Sequence, residues 1–150
     1  MILTPPTGRF DGTLHSFPVR VYFEDTDLSG IVYHANYLRY FERARSDMLA
    51  RVGIDQRGAH DEGFGAYAVT AMDIRWKRPA KLDDELVVES RVTKVRAASC
   101  SIQQRVRRAD AILAEAQVTA ALLTPEGRPR RQPADWVEKF KAVAEEGMNT

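Results

Sequence analysis

Cysteine is almost missing from this chain. Cys100 is the one thiol in 150 residues, so no intrachain disulfide can form and no cysteine-built metal site can be assembled. Net charge is almost missing too: 22 basic and 21 acidic side chains leave a formal +1, a balance that does not suggest a dedicated nucleic-acid binder. No apolar run approaches the ~20 residues needed to cross a bilayer. The opening MILTPPTGRFDGTLHSF has no basic stretch followed by a long apolar one, so it does not read as a secretion signal. Internal repeats and low-complexity segments are absent as well. The expectation is a soluble cytoplasmic protein without a nucleic-acid partner or an integral membrane segment.

What is present is ordinary globular material. A hydrophobic fraction of 44% and a charged fraction of 29% are near the averages for folded domains. The length suits one domain with one core. We expect a single domain over 1–150, with 1–15 and 144–150 flexible.

Periodicity supplies the elements. In SFPVRVYFED, Val19, Val21 and Phe23 alternate with Arg20, Tyr22 and Glu24, the pattern of a strand running from Ser16 to Asp25. Ser29-Gly30 signals a turn. From about His34 the period changes: Tyr37, Tyr40, Phe41, Ala44, Met48 and Leu49 recur at helical spacing. Asn36 is a candidate cap and Gly53 a candidate stop. DQRGAHDEGFGAY reads as a loop. Four strands follow, in AYAVTAMDIRWKR, DELVVESRVTKV, SCSIQQRVRR and AILAEAQVTAALLT. The last is rich in alanine, which favours helix locally, but its place after two hairpin-like strands favours strand. PADWVEKFKAVAEE predicts a short closing helix. The class is therefore α+β: a five-stranded antiparallel sheet, one long helix and a short C-terminal helix. Exposed sheet edges favour a homo-oligomer, a dimer at least and a tetramer beyond it.

The segment DTDLSGIVYHANYL, Asp25 to Leu38, places carboxylates at the end of a strand, a glycine in a turn, and then a helix start. Unpaired N–H groups at a helix N-terminus carry partial positive charge and can hold a carbonyl oxygen as it becomes negative. A neighbouring carboxylate can attack the carbonyl carbon or take a proton from water. Gly30 lets the chain turn sharply and lets a substrate come close. The arrangement suits acyl transfer to water. The bland reading of Asp27 is a turn residue bonded to its own backbone. Asp25 reads as a supporting carboxylate. Two basic clusters, RWKRPAK and GRPRRQP, read first as solvated faces, with an acidic carrier protein or membrane phosphates as the functional alternative.

VYFEDTDLSGIVYHANYLRYFERARSDML resembles the signature of hot-dog-fold acyl-CoA thioesterases of the 4-hydroxybenzoyl-CoA thioesterase class, and within them the YbgC-type subgroup associated with the Tol–Pal system. D-x-D-x-x-G-x-V-Y-H-x-x-Y is the specific part, and IRWKRPAKLDDELVVES extends the likeness. The resemblance implies a curved sheet around a long helix, and hydrolysis of acyl-CoA or acyl carrier protein thioesters to free acid and thiol. It makes Asp27 the catalytic carboxylate, as nucleophile or general base. It assigns the oxyanion donor to the backbone N–H of His34, with the His34 imidazole a further candidate, and the connecting turn to Gly30, Ile31 and Val32. It assigns Arg96 in KVRAAS to the nucleotide end of coenzyme A, although Ala97 and Ala98 follow where some relatives continue with basic residues. Tyr33 is a candidate substrate contact; Tyr33 and Tyr37 otherwise read as packing residues. A second branch of hot-dog thioesterases uses a carboxylate on the helix, which makes Glu42 an alternative base; Glu42 also has Arg45 and Arg39 at pairing distance along a helix. The resemblance implies no metal and no cofactor besides the coenzyme A thioester as substrate. A non-catalytic acyl-CoA-binding or scaffold protein on the same fold is the rival reading.

Overall fold

The structure is a computed structural model that describes residues 1–145. Six strands form one antiparallel sheet: β1 Arg9–Asp11, β2 Leu14–Arg20, β3 Ala66–Trp76, β4 Glu85–Val95, β5 Ser99–Arg108 and β6 Ala111–Leu123, in the spatial order β1-β2-β4-β5-β6-β3. Helix α1, Asn36–Val52, lies across the sheet; a short α2, Gln56–Asp61, follows it, and α3, Ala134–Val143, closes the described chain. Ladder irregularities occur at Val69/Ala71, Val92/Lys94 and Val106/Arg107. Such bulges bend a sheet and increase its twist, and here the sheet curls around α1.

The helix packs as its period predicts. Tyr37, Tyr40, Phe41, Ala44, Met48 and Leu49 are all buried. Tyr37, Tyr40, Phe41 and Ala44 meet Val21, Leu86, Val88, Val106 and Leu113 in one cluster. Met48 and Leu49 join Ile54, Val92, Ile102 and Phe140 in a second, which α3 covers. The alanine-rich β6 is a strand between β5 and β3, because pairing on both edges outweighs a helix preference of a few tenths of a kcal/mol per residue. Its small side chains Ala114 and Ala116 pack in the same cluster as the helix aromatics. Gly53 ends α1 in the left-handed conformation, φ +90°, with its N–H returned to the Ala50 and Leu49 carbonyls.

Four features depart from the sequence reading. The sheet has six strands rather than five, because β1 forms a hairpin with β2. Residues 9–15 are therefore not a loose end: His15 is fully buried, its Nε2 is 2.7 Å from Asp47 Oδ2, and Gly8 N–H donates to the same oxygen at 3.0 Å. Burial holds the His15 imidazole below its ordinary pKa and so neutral. At the other end Ala144 is buried and bridges Val92, and the Glu145 N–H donates to the Val92 carbonyl at 3.0 Å; the rest of the expected flexible tail, 146–150, lies outside the described residues. The first long strand stops at Arg20, and Phe23–Asp25 forms a single 3-10 turn. The Asp25 carboxylate accepts the Tyr22 N–H at 2.9 Å, which folds the chain back and leaves Phe23 80% exposed instead of inward. Finally, Asp55 Oδ1 accepts the Gly58 N–H at 2.9 Å and starts α2 inside the segment read as a loop.

Candidate active site

Asp25 and Asp27 have separate jobs. Besides capping its own turn, Asp25 presents its carbonyl to two donors, the Tyr33 N–H at 2.9 Å and Asn36 Nδ2 at 2.9 Å. It is buried and ties the strand end to the helix start. Asn36 is thus not the cap of α1: Ala35 takes that position without a side-chain bond to the helix.

Asp27 begins a tight turn and faces solvent. Its N–H donates to the Ile31 carbonyl at 3.0 Å, and its carbonyl accepts from Gly30 N–H at 3.0 Å. Gly30 has φ +82° and an added Cβ would meet nothing within 4 Å, so glycine is required there for backbone conformation and not for close approach. Ile31 bridges Lys81, and Val32 is held by its N–H to the Ala80 carbonyl at 2.9 Å. Tyr37 is buried; its hydroxyl accepts the Ala80 N–H at 3.1 Å, and burial raises its pKa. The turn is braced from below by α1 and from the side by the 79–84 connection.

Ser29 is the residue that sequence reasoning took only as turn punctuation. Both its hydroxyl and its backbone N–H donate to Asp27 Oδ1, the latter at 2.9 Å. These bonds, the hydroxyl first, hold the Asp27 carboxyl below its ordinary value of 3.8, and a protonated His34 adds to the effect. Asp27 is a carboxylate at neutral pH. An aspartate followed two residues later by serine is the signal that could have found this pair. The sign of the pH effect follows. An activity that needs the carboxylate is present above its pKa and lost as pH falls through it, so Ser29→Ala, which raises that pKa, moves the acid limb of the kcat/KM profile to higher pH and leaves the neutral rate nearly unchanged. An unshifted limb would remove Asp27 from the titrating step.

His34 precedes α1 at an exposed position. Its backbone N–H has no hydrogen-bond partner among the described residues. Its carbonyl accepts from Trp76 Nε1 at 3.0 Å, and its ring lies 5.7 Å edge-on from Trp76 and 4.5 Å from Tyr33. Trp76 thus anchors the His34–Ala35 peptide, the unit next to the one that carries the candidate donor, a role with no local sequence signal because 42 residues separate the two. An open groove of about 260 Å³ runs from His34 past Ile31, Val32, Tyr37 and Trp76 to Lys77, Arg78 and Pro79. Of the expected site residues Ile31, Val32 and His34 line this groove; Asp27 and Gly30 lie in the turn just before it, Asp27 close enough to feel the His34 charge, and the Tyr33 ring stacks beside His34.

Two other expected residues lie elsewhere. Arg96 follows β4, whose opposite end, Glu85, pairs with Arg20 beside the site. An 11-residue strand is roughly 35 Å of extended chain, so Arg96 does not approach Asp27 of its own chain. It contacts Ser99 and Gln132 instead. The GRPRRQP cluster lies at that same far end, where Arg130 caps the Phe64 ring at 3.7 Å and Gln132 binds Ala97. Glu42 is eight residues along α1 from His34, ~12 Å of helix. It pairs with Arg45 at 2.5 Å and accepts from Ser46. Glu42 and Arg45 edge a second cavity of about 70 Å³, lined also by Met48, Tyr67, Val69 and Phe140.

Residues 21–143 match the thioesterase-like superfamily. The chain belongs to that superfamily. It is 39% identical over 131 residues to the acyl-CoA thioester hydrolase YbgC of Escherichia coli, covering 86% of this chain and 97% of the relative. It is 44% identical over 106 residues to the acyl-CoA thioesterase YbgC of Haemophilus influenzae, covering 71% and 78%. Among solved structures, a probable thioesterase from Bartonella henselae superposes with a TM-score of 0.74 at 38% identity, covering 80% of this chain and 98% of that one. The fold of this superfamily member is the hot-dog fold implied by its opening signature. Among the described residues no helix is long and apolar enough to cross a membrane.

Proposed function

We propose that this superfamily member hydrolyses acyl-CoA thioesters, with Asp27 acting on the thioester carbonyl and the His34 N–H receiving its oxygen. One observation carries the reading: an ionised carboxylate, held by Ser29, shares a braced turn-helix junction with an N–H at a helix start that has no partner among the described residues. In the general-base route Asp27 takes a proton from water and the resulting hydroxide attacks the carbonyl carbon. In the nucleophilic route an Asp27 oxygen attacks, expels the thiolate and forms a mixed anhydride that water then opens. In both, negative charge builds on the carbonyl oxygen, where a fixed N–H dipole stabilises it without reorganisation. The products are free acid and thiol. The relatives' activity and the intact Asp27 favour catalysis over a binding protein on the same fold, and a single thiol suits the reducing cytoplasm.

The test is thiol release across short, long and aromatic acyl-CoAs, with acyl carrier protein thioesters alongside. Turnover of at least one class supports the reading. One-to-one acyl-CoA binding without thiol release would turn it into the scaffold reading.

A second copy of the chain belongs in this proposal. β3 is an edge strand of 11 residues with no partner on its outer side among the described residues, and it exposes Val69 and Trp76. Long exposed edges are ordinarily paired or covered. Arg96 reaches a coenzyme A nucleotide only from another copy. Sedimentation is expected to show a dimer or tetramer; a fully active monomer at micromolar concentration would contradict this.

A further inference from the structure

We infer that Lys77 and Arg78 bind the phosphate that ends the pantetheine arm of the thioester substrate. The inference rests on the hydrolase reading above and names an anchor for the leaving group that acts from within the same chain.

The geometry begins at the end of β3. The Lys77 and Arg78 N–H groups both donate to the Leu113 carbonyl, at 2.8 and 3.1 Å. Two consecutive N–H groups on one acceptor is the pattern of a bulge, which re-aims side chains that strict alternation would send to opposite faces. Both residues accordingly line the groove that leads to His34, and both line the adjoining open groove of about 480 Å³ beside Asp110, Ala111 and Ile112. The two grooves meet at this dipeptide. Arg78 is exposed and forms no ion pair among the described residues, whereas Lys77 is 3.3 Å from Glu115. Neighbouring Arg108 is held by Asp84 and the Pro79 carbonyl. Arg78 is thus an uncommitted guanidinium at a groove junction.

The span fits an arm rather than a whole nucleotide. Trp76 reaches the His34 carbonyl, and Arg78 is two residues further, ~7 Å of extended chain, plus its own side chain. A ligand whose carbonyl sits at His34 and whose arm follows Val32, Tyr37 and Trp76 presents its terminal group to Lys77 and Arg78. Guanidinium and ammonium groups match a phosphate there. Coenzyme A and the prosthetic group of a carrier protein share that phosphate, so one anchor serves either donor.

The experiment compares one acyl group on pantetheine, on phosphopantetheine and on coenzyme A, using wild type, Arg78→Gln and the double variant Lys77→Gln/Arg78→Gln, each checked by thermal melting. The anchor touches neither the carbonyl nor Asp27, so its loss raises KM and spares kcat. The expected result is a rise of about tenfold in KM for acyl-phosphopantetheine and acyl-CoA, equivalent to 1.4 kcal/mol. The rise shrinks at high salt, and acyl-pantetheine is unaffected. Equal changes for all three substrates, or a change confined to acyl-CoA, would overturn the assignment. Wild-type protein that cleaves none of them refutes the hydrolase reading itself. Cleavage of all three with KM ratios unmoved by Arg78→Gln refutes only the anchor.

Discussion

Asp27→Asn is expected to lower kcat by ~10² to 10⁴ if the carboxylate is a general base, and by more if it is the nucleophile, with the fold intact. The structure supplies the reason that the variant should fold. Asp27 is exposed, and its structural work is done by Oδ1, which accepts the Ser29 N–H and hydroxyl. An asparagine carbonyl oxygen accepts both and is equally at home in such a turn. What is lost is the charge. The His34 N–H and the groove remain, so KM should change little. Asp25→Asn provides the contrast: Asp25 is buried and caps the Tyr22 N–H, so its replacement should show first in the melting temperature. Repeated turnover in ¹⁸O water separates the two routes, since label enters the Asp27 carboxyl only if it attacks directly. A folded Asp27→Asn enzyme with near wild-type kcat on a good substrate would dismiss this site, and Glu42 would be tested next.

Gln104→Leu should cost about 3 kcal/mol of stability and lower the melting temperature by roughly 6–12 °C. Gln104 is fully buried on β5. Its Oε1 accepts from Arg45 Nη1 at 2.9 Å, and its Nε2 donates to the Phe41 carbonyl at 3.0 Å and to Ser90 Oγ at 2.9 Å. One amide therefore joins α1 to β4 and β5 and satisfies a buried guanidinium. Leucine fills the space but leaves that guanidinium with Glu42 as its remaining side-chain acceptor. An unpaired buried polar group costs more than the bond was worth. Gln104→Glu is the control. It keeps an acceptor for Arg45 and loses the donors to Phe41 and Ser90, so it should fall between wild type and leucine. A leucine variant that melts within about 2 °C of wild type would show that the network adds no net stability.

The sequence by itself determined α1, the four strands from Ala66 onward, the closing helix and the local part of the candidate site. The period-3.6 apolar positions Tyr37, Tyr40, Phe41, Ala44, Met48 and Leu49 of α1 are all buried, and the four strands from Ala66 onward occur where alternation and turn residues put them, because both signals act over a few residues. The candidate catalytic turn was legible for the same reason: Asp27, Gly30 and His34 lie within eight positions, and their hydrogen bonds are local.

Tertiary structure decided everything that depends on which ends of the sheet face one another. It separated Arg96 and the GRPRRQP cluster from Asp27 by the length of β4 and brought Trp76, Lys77, Arg78 and Pro79 of RWKRPAK into the groove at His34. It buried Arg45, which helical charge patterning would leave in solvent, because Gln104 on β5 is its partner from 59 residues away. It stopped the first long strand at Arg20, because Asp25 caps its own turn and its carbonyl is claimed by Tyr33 and Asn36. It ordered residues 9–15 through the contact of His15 with Asp47 on α1. In each case the deciding partner is distant in sequence or competes with an equally good local pattern, and only the folded arrangement selects between them.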